Sequence, residues 1–128
     1  MDKRQLIEKL KLLPFEKDDY WLAAGGAMVL YGFKEQTRDI DLGCSKHLAD
    51  ILEQQGYETI FLEDGLRRII YNSTIEIFEL WIKDSVVMVE DIPVVSVKGL
   101  IEMKKDLGRE KDHRDIELIN QQIDNSDF

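Results

Sequence analysis

The 128-residue chain is long enough to bury a hydrophobic core, and we expect residues 1–128 to form a single domain. Hydrophobic residues make up 44% and charged residues 34%, which is typical of a water-soluble protein, and no apolar run approaches the roughly 18 residues of a membrane span. The formal net charge of −9 repels the phosphates of duplex DNA and disfavours general nucleic-acid binding. The charged N-terminus does not resemble a signal peptide, and the single cysteine, Cys44, excludes an internal disulfide, so we expect a cytoplasmic protein.

The hydrophobic pattern of the first 56 residues predicts helices and strands in alternation. Apolar residues at helical spacing are followed by Pro14 in the first segment and by Gly56 in the last, and each of these residues ends a helix. The predicted elements are a helix over 2–13, a strand over 20–24, one or two helical turns over 27–32, a strand over 38–44 and a helix over 46–56.

The second half of the chain predicts a meander of strands followed by two helices. Tight connections between the first three strands indicate antiparallel hairpins, and Pro93 favours a short edge strand, because proline donates no hydrogen bond within a sheet. The two helices are separated at Gly108, and the tail over 121–128 has the composition of a frayed end. The predicted elements are strands over 57–62, 66–72 and 74–81, a short strand within 86–96, and helices over 97–107 and 110–123. This order is typical of an α/β or α+β fold with a mixed, mostly antiparallel sheet flanked by helices.

Two aspartates lie one residue apart in the predicted strand over 38–44. Asp39 and Asp41 alternate with Ile40 and Leu42, so both carboxylates project from one face, about 6–7 Å apart along the backbone. Carboxylates so placed repel each other unless a cation lies between them. Mg²⁺, or Mn²⁺ in its place, fits because it takes one or two carboxylates together with substrate phosphates, as nucleotidyl transfer requires. The alternative is a solvated sheet face.

A third carboxylate on a neighbouring strand often holds a second metal ion in such sites. Glu76 is the first candidate, because it alternates with Thr74 and Phe78 while the intervening isoleucines face away. Glu79 lies on the opposite face of that strand and is the second candidate.

Gly25 and Gly26 stand at the predicted turn from a strand into a helix. Without side chains, their N–H groups would let a phosphate approach a helix N-terminus, although a tight turn alone is the alternative. The pair is not a P-loop, because the Gly-Lys-[Ser/Thr] element is missing. Thr37 and Arg38, just before the aspartates, either cap a turn or contact a ribose or phosphate, and the sequence leaves both open.

The first of the two late helices places a lysine on its apolar stripe. Lys104 falls on the stripe of Val97, Leu100, Ile101 and Leu107, where an unpaired ammonium is costly. Either its stem packs and its amine reaches solvent, or the amine points into a cleft at a nucleotide phosphate. If the amine points into the cleft, methionine at this position is expected to preserve or raise stability without nucleotide.

The final helix places two acidic residues at the edge of its apolar face. Asp115 is expected to pair with Arg109 or Lys111 as an internal brace, or to take part in the active site. Asp112 either takes part in the active site or is a first-turn acid favoured by the helix dipole, and the sequence leaves both open.

Other candidate residues carry weaker signals. His47 and His113 lack metal-ligand spacing to a cysteine or to a second histidine, which disfavours a zinc site. Cys44 is expected to be a small buried hydrophobe, and Trp21 and Trp81 are expected to pack in the core.

The segment "AAGGAMVLYGFKEQTRDIDL" over 23–42 resembles the signature of the DNA polymerase β-like nucleotidyltransferase superfamily, an apolar-Gly-[Gly/Ser] turn followed by Asp-X-[Asp/Glu]. Its form is similar to small stand-alone bacterial members grouped with abortive-infection and toxin–antitoxin nucleotidyltransferases. The segment "LIEMKKDLGREKDHRDIEL" over 100–118 looks like the late segment of these proteins.

The resemblance implies a nucleotidyltransferase fold and a set of site residues. One departure is that the third acid, usually Asp, is Glu76 here. The implied catalytic and metal residues are Asp39, Asp41 and Glu76, and the implied nucleotide-binding residues are Gly25, Gly26, Thr37, Arg38, Lys104 and Arg109.

The resemblance further implies a reaction, in which a nucleoside monophosphate passes from a nucleoside triphosphate (NTP) to an acceptor hydroxyl with Mg²⁺. A small molecule, a protein and a tRNA end are all precedents for the acceptor, and a homodimer or a partner protein is expected to complete its pocket. The alternative is a nucleotidyltransferase-like module that binds a ligand or partner without catalysis, which the glutamate at position 76 favours.

Overall fold

The computed structural model describes residues 1–124, which form five α-helices and seven β-strands. The helices are α1 (Lys3–Lys11), α2 (Ala24–Leu30), α3 (Lys46–Gln54), α4 (Val97–Leu107) and α5 (Glu110–Asp124). The strands are β1 (Tyr20–Ala23), β2 (Ile40–Cys44), β3 (Glu58–Phe61), β4 (Arg67–Ile70), β5 (Ile75–Glu79), β6 (Val86–Val89) and β7 (Ile92–Val95). The frayed tail was expected over 121–128; α5 continues to Asp124, and residues 125–128 lie outside the described part.

The strands form one mixed sheet in the order β3-β4-β5-β2-β1-β7-β6. The pairs β2–β5 and β1–β7 are parallel, and the other four neighbouring pairs are antiparallel. The predicted mixed, mostly antiparallel sheet with flanking helices is thus confirmed, and so are the hairpins from β3 through β5.

The segment around Pro93 differs from its prediction. It was expected to add one short edge strand, but it forms two strands, with β6 at the edge of the sheet and β7 between β6 and β1. Pro93 therefore lies one strand in from the edge, opposite Met88. The parallel ladder of β7 with β1 is short, with Leu22 opposite Val94, and so it accommodates a residue that lacks an amide N–H.

The core lies between the sheet and the helices that cover it. α2 packs on β1, β2 and α4, and α3 packs on β4. Ile40 and Leu42 on β2 are fully buried, as is Ile77 on β5, so one face of the central strands belongs to the core and the other is left for a site. None of the five helices of residues 1–124 combines the length and hydrophobicity of a membrane span.

The apolar stripe of α4 is shifted by one position from the predicted one. Leu107 was expected to face inward, but it is 44% exposed, while Met103 is buried beside Leu100 and Lys104. Gly108 then ends the helix with a left-handed backbone at φ 62°, the conformation that glycine adopts without cost. This end turns the chain directly into α5.

Candidate functional site

Two adjoining pockets open on the face of the central strands that the core leaves free. They share Ala24, Asp41 and Arg109 as lining residues. The polar pocket, of about 240 Å³, is further lined by Gly25, Lys34, Thr37, Arg38, Asp39, Lys104, Lys111, Asp112 and Asp115. The apolar pocket, of about 570 Å³, is further lined by Leu62, Asp64, Leu66, Glu76, Phe78, Glu79, Leu80, Trp81, Ile82, Lys83 and Leu107. Asp41 therefore stands between a charged compartment and a hydrophobic one.

The register of β2 against β5 places two of the three predicted acids side by side. Asp41 lies directly opposite Glu76 in the parallel ladder, on the face away from buried Ile40 and Leu42. Asp39 precedes the first residue of β2, so it is not within the strand, and it lines the polar pocket together with Asp41. Glu76 lines the apolar pocket with Asp41. Asp41 thus shares one pocket with Asp39 and the other with Glu76.

The electrostatics of Asp41 reflect this crowding. Burial raises the pKa of its carboxyl, and the charges of Glu76 and Asp39 raise the same pKa further, while Lys111 and Arg68 oppose the shift. The site thus favours a cation near Asp41, and carboxylate oxygens are the donors that Mg²⁺ prefers. Asp39 and Asp41, which line the same pocket, are the residues that could hold such an ion.

The third acid is held by an arginine that sequence reasoning missed. The guanidinium of Arg68 on β4 donates a hydrogen bond to the carboxylate of Glu76 and forms an ion pair with it. Within residues 1–124, no three His, Cys, Asp or Glu side chains are grouped as ligands of a metal ion. The signal for Arg68 was present in the sequence, because a hairpin from β4 to β5 brings its side chain to the same face as Glu76.

Glu79, the second candidate for a third acid, belongs to a separate charge cluster. Its carboxylate accepts hydrogen bonds from Nε and Nη2 of Arg67 at 2.9 and 2.8 Å, and both side chains are almost fully buried. These hydrogen bonds lower the pKa of Glu79 despite its burial. Asp50 and Glu53 on α3 also form ion pairs with Arg67, so this cluster connects α3 to the β4–β5 hairpin. The carboxylate of Glu79 is therefore already paired with Arg67.

The two glycines lie inside α2, where a turn ahead of the helix was predicted. α2 begins at Ala24, which has a left-handed φ of 51°, a strained value for alanine. Gly25 lines the polar pocket, and a Cβ there would lie 2.8 Å from Oγ1 of Thr37. A Cβ on Gly26 would lie 2.6 Å from Cδ1 of Leu22, so the close packing of α2 on β1 requires this second glycine.

Thr37 and Arg38 both line the polar pocket, at the entry to the Asp39 segment. The hydroxyl of Thr37 donates a hydrogen bond to the backbone oxygen of Asp39 at 3.1 Å, which supports the turn-capping interpretation of this residue. Arg38 is exposed.

Lys104 lies within a buried charge network at the back of the polar pocket. It is 5% exposed, and its Nζ lies 2.9 Å from Oδ2 of Asp115 and 3.7 Å from Oδ1 of Asp112. Asp115 also pairs with Lys34 at 2.8 Å, and fully buried Asp112 accepts hydrogen bonds from the backbone N and the Nε of Arg109. The predicted internal brace therefore exists with other partners, since Asp115 pairs with Lys34 and Lys104 and not with Arg109 or Lys111.

The carboxylates of this network stay ionised although they are buried. Burial raises the pKa of Asp112, but the hydrogen bonds and charge of Arg109 and the charge of Lys104 hold it below its usual value. Burial likewise raises the pKa of Asp115, and Lys34 and Lys104 together lower it. Ion pairs between charged side chains therefore connect α4 to α5 and to the segment after α2.

Aromatic side chains form one wall of the apolar pocket. Trp21 is buried as expected, and its Nε1 donates a hydrogen bond to the backbone oxygen of Trp81 at 2.8 Å. Gly43 leaves the space for this indole, because a Cβ there would lie 1.9 Å from Nε1 of Trp21. Trp81 packs against the core and also lines the pocket, with its ring 5.1 Å from that of Phe78. Sequence reasoning had placed Trp81 in the core alone.

Cys44 at the end of β2 is fully buried, as predicted. Burial raises the pKa of its thiol to about 12, so it does not act as a nucleophile near neutral pH.

Comparison with known proteins identifies similar structures, although no protein-family model and no curated protein sequence matches the chain. A crystal structure from Thermotoga maritima, described as a nucleotidyltransferase, aligns with a TM-score of 0.57 and 17% identity over 96% of this chain and 91% of that one. The lincomycin-bound lincosamide antibiotic adenylyltransferase LnuA aligns with a TM-score of 0.51 and 19% identity over 91% of this chain and 95% of that one.

Both alignments span nearly the whole of each chain, and at these identities they establish the fold. The chain is a minimal protein of the nucleotidyltransferase fold.

Proposed function

We propose that this protein is a Mg²⁺-dependent nucleotidyltransferase that binds an NTP between its two pockets. In the reaction, an acceptor hydroxyl attacks the α-phosphorus; a new O–P bond forms, the hydroxyl proton is lost, the α–β phosphoanhydride bond breaks and pyrophosphate leaves. The observation that carries this proposal is the position of Asp41, paired with Glu76 across β2 and β5 and shared by both pockets.

The polar pocket suits the triphosphate, because cationic side chains from three parts of the chain line it. Lys34 follows α2, Arg38 precedes β2, and Lys104, Arg109 and Lys111 come from the α4–α5 region. Gly25 lines the same pocket, and because it has no side chain a ligand can approach its backbone closely. Lys104 and Arg109 are held by buried aspartates, so their positions are set before any ligand binds, and a preformed arrangement lowers the ordering cost of binding.

Asp39 and Asp41 would hold the divalent ion, Mg²⁺ or Mn²⁺. Such an ion neutralises charge on the triphosphate and polarises its α-phosphate when bound. The raised pKa of Asp41 supports this assignment, because a group crowded by two other carboxylates gains most from a cation.

The apolar pocket suits the flat, apolar part of a substrate, with Phe78 and Trp81 as its aromatic wall. The acceptor itself is one of three kinds: a small molecule, a protein or a tRNA end. A second subunit or a partner protein would complete the acceptor side. The lincosamide antibiotic named for one structural neighbour makes a small-molecule acceptor the first kind to test.

A thermal-shift screen tests the proposal most directly. Each of the four NTPs is added to the protein with and without Mg²⁺, and the unfolding midpoint is measured. We expect at least one NTP to raise the midpoint in the presence of Mg²⁺ and to raise it much less in its absence, because the ion bridges the carboxylates and the phosphates.

A shift that does not depend on the metal would support the second candidate, a nucleotidyltransferase-like binding module without catalysis. The ion pair between Arg68 and Glu76 favours that candidate, because the carboxylate of Glu76 is then already paired with a cation other than a metal ion. No shift with any NTP would refute nucleotide binding altogether.

A further inference from the structure

Arg68 lies on the reactive face of the sheet, although neither pocket includes it among its lining residues. In the antiparallel ladder of β4 and β5, Arg68 is opposite Phe78 and Ile70 is opposite Glu76. Side chains at such diagonal positions lie on one face and within reach of each other when one of them is long. The guanidinium thus extends along the strand toward the pair formed by Asp41 and Glu76.

The contact with Glu76 uses only part of the Arg68 guanidinium. The side chains of Arg68 and Glu76 are 37% and 33% exposed, so water partly screens their attraction. Nη2 of Arg68 donates a hydrogen bond to the carboxylate, whereas Nε of Arg68 is buried without a hydrogen-bond partner among residues 1–124. Displacing the Arg68 guanidinium from Glu76 therefore breaks few hydrogen bonds. Displacing the Arg67 guanidinium would break more, because Arg67 donates to Glu79, Asp50 and Glu53.

The charges around Glu76 show what this arginine does. The charges of Glu76 and Asp39 both act on Asp41, and Arg68 is a permanent positive charge that is hydrogen-bonded to Glu76. Asp39 and Asp41 have no such bond to an arginine among the contacts described for residues 1–124. The two aspartates are thus free to share a metal ion, while Glu76 already has a cationic partner.

We infer that the Arg68 guanidinium occupies the cation position beside Glu76, so that a metal ion that binds Glu76 must first displace this guanidinium. This inference deepens the proposed function and rests on it for the site at Asp39 and Asp41. One divalent ion binds at the two aspartates, and the position that a second ion would take beside Glu76 is filled by the arginine. Arg68 thereby sets the number of metal ions that the protein binds without nucleotide.

Metal-binding stoichiometry tests the inference without any catalytic assay. The full chain is titrated with Mn²⁺ in the absence of nucleotide, and free Mn²⁺ is measured by its electron paramagnetic resonance signal. We compare the wild type with Arg68→Gln, Glu76→Gln and the double variant, and thermal unfolding confirms that each is folded. Arg68→Met replaces Arg68→Gln if the latter does not fold, because methionine keeps the packing of the apolar stem.

The matched control is Arg114→Gln. Arg114 is exposed on α5 and pairs weakly with Glu110 at 3.6 Å, so its loss changes the net charge equally but leaves Glu76 untouched. We expect the wild type, Glu76→Gln, the double variant and Arg114→Gln to bind one Mn²⁺. Arg68→Gln should gain a second site, at least about tenfold tighter than any second site of the control, as the loss of a competing hydrogen bond to a charged group predicts.

The failures of the two proposals are distinguishable. One Mn²⁺ bound by the wild type and by Arg68→Gln alike, or two bound by the wild type, would overturn the role of Arg68 and leave the Asp39 and Asp41 site standing. A gain that persists in the double variant would also overturn it, because the second ion would then not use Glu76. No Mn²⁺ bound by any variant would overturn the inference, because it requires a metal site without nucleotide, whereas the proposed function is refuted only if NTP and Mg²⁺ together cause no thermal shift.

Discussion

Replacing Lys104 by methionine tests the buried charge network, and the structure reverses the sign that the sequence suggested. From the apolar stripe alone, methionine is expected to suit this position. In the fold, however, the ammonium is 5% exposed and lies between Asp115 at 2.9 Å and Asp112 at 3.7 Å. Its removal leaves two buried carboxylates with one cationic partner fewer.

The magnitude follows from the remaining partners. Removing one member of a buried ion pair costs about 3–5 kcal/mol when the other charge is left alone. Here Asp115 keeps Lys34 and Asp112 keeps Arg109, so we expect a loss nearer about 2–3 kcal/mol in the free energy of unfolding. With an unfolding entropy of about 2.1 cal/mol/K per residue over 128 residues, the midpoint should fall by about 7–11 °C.

The assay is thermal denaturation followed by circular dichroism at pH 7, without nucleotide. Lys105→Met is the matched control, because Lys105 is the adjacent residue of α4 and is exposed. Its midpoint should change by no more than about 2 °C, the usual range of a surface substitution. An unchanged or higher midpoint for Lys104→Met would refute the interpretation of Lys104 as a buried ion-pair partner. Equal losses at both positions would indicate a general effect of net charge.

Two further predictions concern the carboxylates. Asp41→Asn should abolish nucleotidyl transfer yet keep or raise the unfolding midpoint, because it removes repulsion from Glu76 and Asp39; retained transfer by the purified variant would contradict the metal role of Asp41. The pKa values of Asp112 and Asp115 are lowered in the folded state, so their contribution to stability is fully present above the unfolded value of about 3.9 and is lost as the pH falls through the folded values. Urea unfolding from pH 7 to 2.5 should therefore show a steep loss of stability below about pH 4 that is shallower in Asp112→Asn, and identical slopes would argue against the ionised network.

Much of the fold was predictable because its signals are local. Alternating polar and apolar residues identified β2 and β5, and tight connections predicted the hairpins from β3 through β5. The α4–Gly108–α5 break was also predictable, since a left-handed residue after a helix strongly favours glycine. The start of α2 was misplaced, because glycine is a poor helix former and the packing of Gly26 on Leu22, which depends on tertiary contact, overrides that tendency.

The candidate site was predictable only in its residue types. The spacing of Asp39 and Asp41 pointed to paired carboxylates, and the alternation in β5 pointed to Glu76, since side-chain direction in a strand follows from position alone. The partners of charged groups were not predictable in this way. Asp115 could have paired with several lysines and arginines, and the choice of Lys34 and Lys104 depends on how α5 packs against α4 and the segment after α2.

Apart from the start of α2 and the two strands around Pro93, the sequence by itself thus determined the order of strands and helices and which strand faces carry acids, because both depend on periodicity along the chain. Tertiary structure alone decided that β2 lies parallel to β5 with Asp41 opposite Glu76, that Arg68 bonds Glu76, and that Lys104 is buried between two aspartates. The physical reason is that ion-pair partners are selected by distance and burial among many charges of similar chemistry. Those two quantities exist only once the sheet order and the helix packing have been set.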